Sequence, residues 1–515
     1  MTGIISRRIR TGAVAIVCTA LLVSAGISPA VATERAMGST AVLPESTTVT
    51  PSADDCGDTL CLEWERRGGT LGKPIATSSP TVGTLDDGGP AVIVGDRAGN
   101  IWALHLSDGS WVPGWPVKTG GVVVDSTPSV SGSGDTARVY VGVGGSASPS
   151  KGGIWKIRNT GAVMWKVTPR SHPTQAGTSG VKASVSLGNL RGPSTLDAYA
   201  PTMGQLHYAL ATESGKNIPG FWWVAADSTF STAALADLYG TGRDYVIVGA
   251  DSTAGTSYFR SYGNGGALRI LKPTGRAGEK YPNRGLVCER RTNQVVQSSP
   301  AVGPVLAEGR TGIAFGTGTF YPNQTATKFI FMINDRCGDV WRKQLDGSTA
   351  SSPAFADIKG DGTLDVVIAA RVSSSSTSVW ALEGPNGATI WRTSVTGGVI
   401  GSVVTADLGN GYQSVLVPTT SGLRILDGRT GQIVHSINGI GLQNSPLVTA
   451  RPDGTVGVTL AGYVGELVSG RVQLRSVIRH YSIPGSDGAT VDDRGSWPMF
   501  HRDPQLTGTA PLTTF

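Results

Sequence analysis

Three aspartates in the stretch SSPAFADIKGDGTLDVVIAA, residues 351–370, are spaced as Asp357-x-x-x-Asp361-Gly-x-x-Asp365. Three carboxylates on one tight loop suit a hard cation such as calcium. Lys359 stands between the first two and places an ammonium where a cation would sit. Related loops carry fewer acids. ADLYGTGRD has Asp237, Thr241 and Asp244, ADLGNGYQS has Asp407, and GTLDDGGPA has Asp86 and Asp87 before a shortened loop. A second reading covers all four loops, in which Asp side chains close tight turns by accepting backbone N–H hydrogen bonds. Calcium is an expectation at Asp357, Asp361 and Asp365, and the loop is a repeat turn on either reading. Lys359-Gly360-Asp361 also spells an adhesive tripeptide, for which chance inside such a turn is the better account.

Catalytic signatures are absent from the sequence. There is no G-x-S-x-G elbow, no H-E-x-x-H and no phosphate-cradling Gly loop. The six His residues, at 105, 172, 207, 435, 480 and 501, fall singly in unrelated positions. His501 and Asp503 are close, but in a terminal segment where a structural role is expected. No catalytic or cofactor-binding residue is assigned.

Arg7, Arg8 and Arg10, the apolar stretch Gly12 to Ile27, and Ala30-Val31-Ala32 have the layout of a secretory signal peptide over residues 1–32. The apolar stretch is shorter than the roughly 20 residues of a spanning helix, and no later segment approaches that length. A secreted protein with no membrane span is expected. Loss of the leader lowers the formal net charge from +6 to +3, because it removes three Arg and no acid. The remaining Lys and Arg are scattered, which argues against nucleic acid as a partner. Four cysteines remain without Cys18, an even number where disulfides persist. Cys56 and Cys61 can close a small local loop, and Cys288 with Cys337 is the natural second pair, although other pairings stay open. No CxxC or nearby His pair supports zinc.

The elements that must position these residues come from a repeat. Residues 33–55, rich in Ser, Thr, Ala and Pro, read as a linker. Residues 56–515 then read as one domain. SSPTVGTL from Ser78, STPSVSGS, ASVSLGNL, STAALADL, SSPAVGPV, SSPAFADI, GSVVTADL and NSPLVTAR from Asn444 share one outline. Small polar residues lead into a short apolar strand. The eight openings lie about 52 residues apart on average, within the range of propellers and other repeat arrays. A near-continuous apolar run follows most openings, such as AVIVGD from Ala91 and DVVIAA from Asp365, as strands buried on both faces require. Hairpins then follow, among them SVWALEGPNGATIWRT from Ser378. Units of four strands packed radially bury their faces against one another. The fold class is therefore all-β, a propeller of four-stranded antiparallel blades. Eight blades are expected, with seven as the alternative because residues 183–227 are degenerate. LEWERR, Leu62 to Arg67, resembles a fourth strand yet precedes the first opening, so it is expected to complete the last blade and close the ring.

The Ala-Asp-Leu/Ile openings and the Gly-Asp-Gly turn resemble FG-GAP, or VCBS, repeats of the integrin-α N-terminal type. The Trp-Ala-Leu…Gly…Trp hairpins resemble PQQ-like propeller blades. SWPMFHRDPQLTG, residues 496–508, is similar to a closing segment at the ends of such exported bacterial proteins. The likeness spans roughly residues 62–508. It speaks for architecture more than for function. In the integrin-like loop, D-x-[DN]-x-D-G-x-x-D, calcium is held by side chains at positions 1, 3, 5 and 9 and the carbonyl at 7. That implies Asp357, Asp361, Asp365 and the Thr363 carbonyl, with Lys359 departing from the pattern at position 3. Trp102, Trp155 and Trp380 recur at one blade position and Trp165, Trp341 and Trp391 at another, which argues for packing between blades. Trp111, Trp115, Trp222 and Trp223 fall outside that register.

The resemblance implies a non-catalytic binding or scaffold propeller for a glycan, cell-surface component or protein. The alternative is a PQQ-like quinoprotein or a polysaccharide-active enzyme. The quinoprotein family carries adjacent cysteines and calcium and quinone ligands in its channel. This sequence has no Cys-Cys pair and no matching acidic set.

Overall fold

The computed structural model describes residues 48–49, 60–145, 151–173, 176–221, 223–253, 263–273, 285–489, 491 and 495–512. The expected leader and Cys56 lie outside them. Strands pair antiparallel into eight sheets, seven of four strands and one of five. The protein is an eight-bladed β-propeller. Within blades 1 to 7 the strands follow sequence order, and the short first strands of neighbouring blades lie side by side around the axis. Second strands are buried along nearly their whole length, as Asp365–Arg371 in blade 6 shows. Fourth strands alternate exposed and covered residues, as in Thr389–Thr396. The apolar runs thus sit where two neighbouring blades cover both faces of a sheet.

Ring closure follows the expectation from sequence. Cys61–Gly68 pairs with Arg471–Ile483, with Leu62 opposite Tyr481 and Arg67 opposite Val477, so the earliest long strand completes blade 8. Thr48–Val49 pairs outside it, opposite Arg66 and Glu65. Part of the stretch read as a linker is therefore an added edge strand. The degenerate repeat forms a complete blade 3 from Ser186–Gly188, Asp197–Ala200, Leu206–Ala211 and Trp223–Val224. Its core is partly polar, which accounts for its weak signature. Tyr199 and Thr229 hydrogen-bond the two ring nitrogens of His207 at 2.7 and 2.8 Å, and the fully buried Arg269 lies over Trp223.

The openings owe their outline to a hydrogen-bond belt. The second residue of each is Ser or Thr, and its backbone N–H donates to the corresponding hydroxyl of the next blade. The order is Ser79, Thr127, Ser184, Thr232, Ser299, Ser352, Ser402, Ser445 and back to Ser79, at 2.9–3.1 Å. Innermost backbone has no further strand to pair with, and a buried N–H without a partner is costly. One hydroxyl per blade supplies the acceptor and links each blade to the next.

Farther along the first strands, the C-terminal segment crosses the channel. N–H groups of Val130, Leu187, Leu235, Val302, Thr405 and Val448 donate to carbonyls of Pro504, Gln505, Thr507, Gly508, Trp497 and Pro498, respectively. Six first strands are thereby tied to one segment, and Asp357, at the end of a seventh, donates to Gly495. Met499, Phe500 and Leu506 pack in one cluster with Val82 of blade 1. His501 and Leu506 adopt left-handed backbone, and His501 Nδ1 lies 2.8 Å from the Leu506 carbonyl. His501 thus makes a structural contact within the segment. Asp503 instead accepts the Thr507 N–H at 3.0 Å.

Candidate functional site

The belt marks one end of the channel, and the residue just before each opening lines its mouth. There the sequence places Asp125, Lys182, Phe230 and Gln297 on successive blades. Antiparallel pairing brings the ends of second strands to the same level, which adds Arg97 and Asp251. Arg97 Nε donates to Asp125 at 3.0 Å, Gln297 Nε2 donates to Asp251 at 2.8 Å, and Thr253 donates to Asp227 at 2.5 Å. Lys182 Nζ lies 4.9 Å from the Phe230 ring centre. Burial holds its amine below the usual lysine range, against the pull of Asp125 and Asp251. Burial pushes the Asp251 carboxyl up to about 7, helped by the charge of Asp227 and resisted by the Gln297 hydrogen bond. Oppositely charged groups with shifted protonation in one cleft can orient a polar ligand or carry a proton. Blades 6 to 8 place Ala350, Ile400 and Gln443 before their openings, and blade 6 adds Arg371 at the second-strand position of Arg97 and Asp251.

The loop of residues 357–365 folds as a turn around its first aspartate. Asp357 accepts the N–H groups of Gly360, Asp361 and Gly362 at 2.8–3.0 Å, and Asp361 accepts that of Thr363 at 2.9 Å. Asp237 and Asp407 close their loops in the same way. Lys359 Nζ sits 3.0 Å from Asp361, 3.9 Å from Asp365 and 3.7 Å from Glu383. Its amine is raised chiefly by the bond to Asp361. Burial pushes the Asp365 carboxyl up to about 7 despite that nearby ammonium. The set does not fit a calcium ion, because a tethered cation stands among the carboxylates. Among the described residues, no three His, Cys, Asp or Glu side chains form a metal-holding group.

Tryptophans dock the blades to one another. Trp165 donates its indole N–H to the Thr212 carbonyl, Trp341 to Gly384, Trp391 to Gly428 and Trp64 to Leu106. Each contact runs from a fourth strand to the hairpin of the next blade. The rings lie on hairpin glycines with left-handed backbone, Gly215, Gly387, Gly431 and Gly109, where an added Cβ would come within 2.6–2.9 Å of the indole. Trp115 and Trp223 are buried as well, Trp111 packs 5.2 Å from Trp102, and Trp222 lies outside the described residues. Cys288 and Cys337 form a disulfide between blades 4 and 5 with Cα atoms 5.9 Å apart. Cys61 is also disulfide-bonded.

Sequence reading did not single out the mouth residues. Aligning the position before every opening would have gathered Asp125, Lys182 and Gln297, a signal hidden by the variability of that position.

No protein-family model matches the chain, and no curated protein matches it. Solved structures do. The biofilm matrix protein Bap1 of V. cholerae has a TM-score of 0.55 at 13% identity, over 86% of this chain and 94% of that one. A quinohaemoprotein alcohol dehydrogenase from Pseudomonas putida HK5 has 0.51 at 13%, over 83% and 76%. BamB from Moraxella catarrhalis has 0.46 at 14%, over 86% and 98%. At such identities the likeness is one of fold.

Proposed function

We propose that this is an exported, non-catalytic propeller of the FG-GAP type that binds a glycan or a protein through its loop faces. The observation that carries the reading is the C-terminal segment, which crosses the channel and hydrogen-bonds six first strands. The PQQ-like resemblance would have a cofactor in that channel. At the open mouth, Asp125 and Asp251 are already held by Arg97 and Gln297. Export agrees with the disulfides, which persist in oxidising compartments. The test is a turnover screen of the mature protein on polysaccharides and on alcohols with added quinone. The expected result is no turnover, and quinone-dependent oxidation would overturn the reading.

One observation favours a second reading, a polysaccharide-active enzyme. Asp251, with a carboxyl at about 7 in the cleft beside Lys182, has the protonation expected of a general acid. Polysaccharide cleavage abolished by Asp251→Asn would establish that reading. Calcium has no part in the proposal, since Lys359 stands in for it. Calcium titrated into chelator-treated protein is expected to give no heat and no rise in Tm, because only an ion that binds the folded state stabilises it. A single site lost in Asp361→Ala would overturn that expectation.

A further inference from the structure

Blade 8 differs from the others in its second and third strands. Val456–Val468 and Arg471–Ile483 are 13 residues each, whereas no other second strand exceeds eight. Leu447 faces Thr459 as Ala354 faces Val367 in blade 6, so Tyr463 stands at the level of Arg371 at the mouth. Residues 464–468 and 471–475 therefore project past the mouth as a two-stranded hairpin, by about 16 Å at the rise of an extended strand. Ser469 and Gly470, with left-handed backbone at φ 49° and 75°, close it in a two-residue turn. We propose that this hairpin joins a second copy of the chain edge to edge, the strand of residues 464–468 pairing antiparallel with its own counterpart about Leu467. Such pairing goes beyond the binding reading above and is independent of it.

Leu467 and Val472 face each other across the hairpin. At 76% and 69% exposed they are the two most exposed large apolar side chains among the described residues, ahead of Phe320 at 49%. The backbone beside them is open as well. Tyr463 exchanges two backbone bonds with Gly441, at 2.8 and 3.1 Å, and because strand groups alternate in direction, Gly465 and Leu467 point their N–H and C=O groups the same way. Neither has a hydrogen bond outside the hairpin, so the ladder begun at Gly441 stops at an unpaired edge. The opposite edge is partly taken, since Gly72 donates to the Leu474 carbonyl at 2.9 Å. Outer edges elsewhere carry cations that discourage pairing, Lys166 in blade 2, Arg290 and Arg291 in blade 4, Lys343 in blade 5 and Arg392 in blade 6. Residues 464–468 carry only Glu466, which accepts from Arg475 of the same hairpin at 2.6 Å.

Antiparallel pairing about Leu467 makes this edge its own complement. One face of the resulting four-stranded sheet carries Val472 and Leu467 of one copy and Leu467 and Val472 of the other in a single row, so each apolar pair covers its counterpart. On the opposite face Glu466 meets Val468 of the second copy and lies in one row with that copy's Arg471, two strands and about 10 Å away, within reach of two long side chains. Arg471 is exposed and has no ion pair among the described residues. No like charges stand opposite one another. A lipid surface would cover the same apolar side chains but leave the backbone groups of Gly465 and Leu467 without partners in hydrocarbon, which is costly. Strand addition satisfies both. The overlap is short, which places the dimer at the weak, reversible end of interfaces, with the two mouths facing each other.

Analytical sedimentation of the mature protein, from micromolar to submillimolar concentration, tests the proposal. A reversible monomer–dimer equilibrium is expected, weakened at least about tenfold by Leu467→Lys at unchanged Tm, because the substituted side chain is exposed and a charge on an edge opposes pairing. Cysteine coupling reads the register. Residues paired across such an edge have Cα atoms about 5.5 Å apart, within reach of a disulfide, so Leu467→Cys should give a covalent dimer on oxidation. Val472 lies on the far strand of each hairpin, about 14 Å from its counterpart, so Val472→Cys should not couple. A parent that stays monomeric at submillimolar concentration, a dimer untouched by Leu467→Lys, or coupling through Val472→Cys in place of Leu467→Cys would each overturn the proposal. So would a monomeric parent that floats with phosphatidylglycerol vesicles and ceases to do so in Leu467→Lys, which would assign the hairpin to a lipid surface.

Discussion

Two ways of joining neighbouring blades stand side by side in this ring. Between blades 5 and 6, and 6 and 7, a fourth-strand Trp lies on a hairpin Gly of the next blade. Between blades 4 and 5 the same two positions are Cys288 and Cys337. The register makes the substitution visible. Trp341, Trp391 and Cys288 each sit opposite the third strand beside a β-bulge, facing Met332, Ala381 and Ile270. Cys337 has a left-handed φ of 59°, close to the 72° of Gly387 and Gly431. A dock made of area has become a dock made of a covalent bond.

The largest expected effect comes from the area-based dock. Trp391→Ala removes a buried ring and its bond to Gly428, and a loss of about 3–5 kcal/mol is expected, read as a lower denaturation midpoint. Gly431→Ala attacks the same dock from the other side. Its Cβ would stand 2.6 Å from the indole on a backbone with φ +72°, so about 1–3 kcal/mol is expected. Unchanged stability in both would show that these docks do not hold the ring.

Removing the covalent dock with Cys288→Ala and Cys337→Ala together is expected to cost about 2–4 kcal/mol, chiefly by freeing the unfolded chain. A swap sharpens the comparison. Cys288→Trp with Cys337→Gly installs the other dock at this seam and should be more stable than the double alanine variant by about 1 kcal/mol or more. A swap no better than the alanines would mean that the two docks share a register and nothing else.

The blades were legible because their physics repeats. Apolar second strands, Gly-containing hairpins and Ser/Thr openings each answer a need present in every blade, and Leu62 to Arg67 could be assigned across the ring because Trp64 repeats Trp391. The belt itself was not legible. Its hydroxyls were visible as a polar outline, but that Ser445 closes on Ser79 depends on the ring being circular. The candidate sites were less legible still. Lys182 and Asp251 occupy positions where the repeat imposes no residue type, so no periodic signal marks them. The acidic loop at 357–365 was conspicuous because the turn itself repeats, and its aspartate proved to serve the backbone.

The closing interface between blades 8 and 1 adds a third variant, and it should respond to acid where the others do not. Trp64 docks on Leu106 and Gly109 as its counterparts do, but its register partner on the third strand is His480. The imidazole stacks on the indole with ring centres 5.7 Å apart, and its Nδ1 meets the Thr459 hydroxyl at 2.9 Å. Burial lowers its pKa to about 4, and Arg451 adds a smaller push in the same direction. A histidine held neutral on folding contributes stability that is present above its ordinary value near 6.5 and is lost as pH falls through about 4. His172, His207 and His501 are depressed in the same sense, so the parent protein carries all four. Subtracting a His480→Gln variant isolates one of them. The variant's stability should fall less steeply than the parent's between pH 6.5 and 4, while Trp391→Ala should leave that slope unchanged. Parallel pH curves for parent and His480→Gln would mean that the closing dock is indifferent to the charge behind its tryptophan.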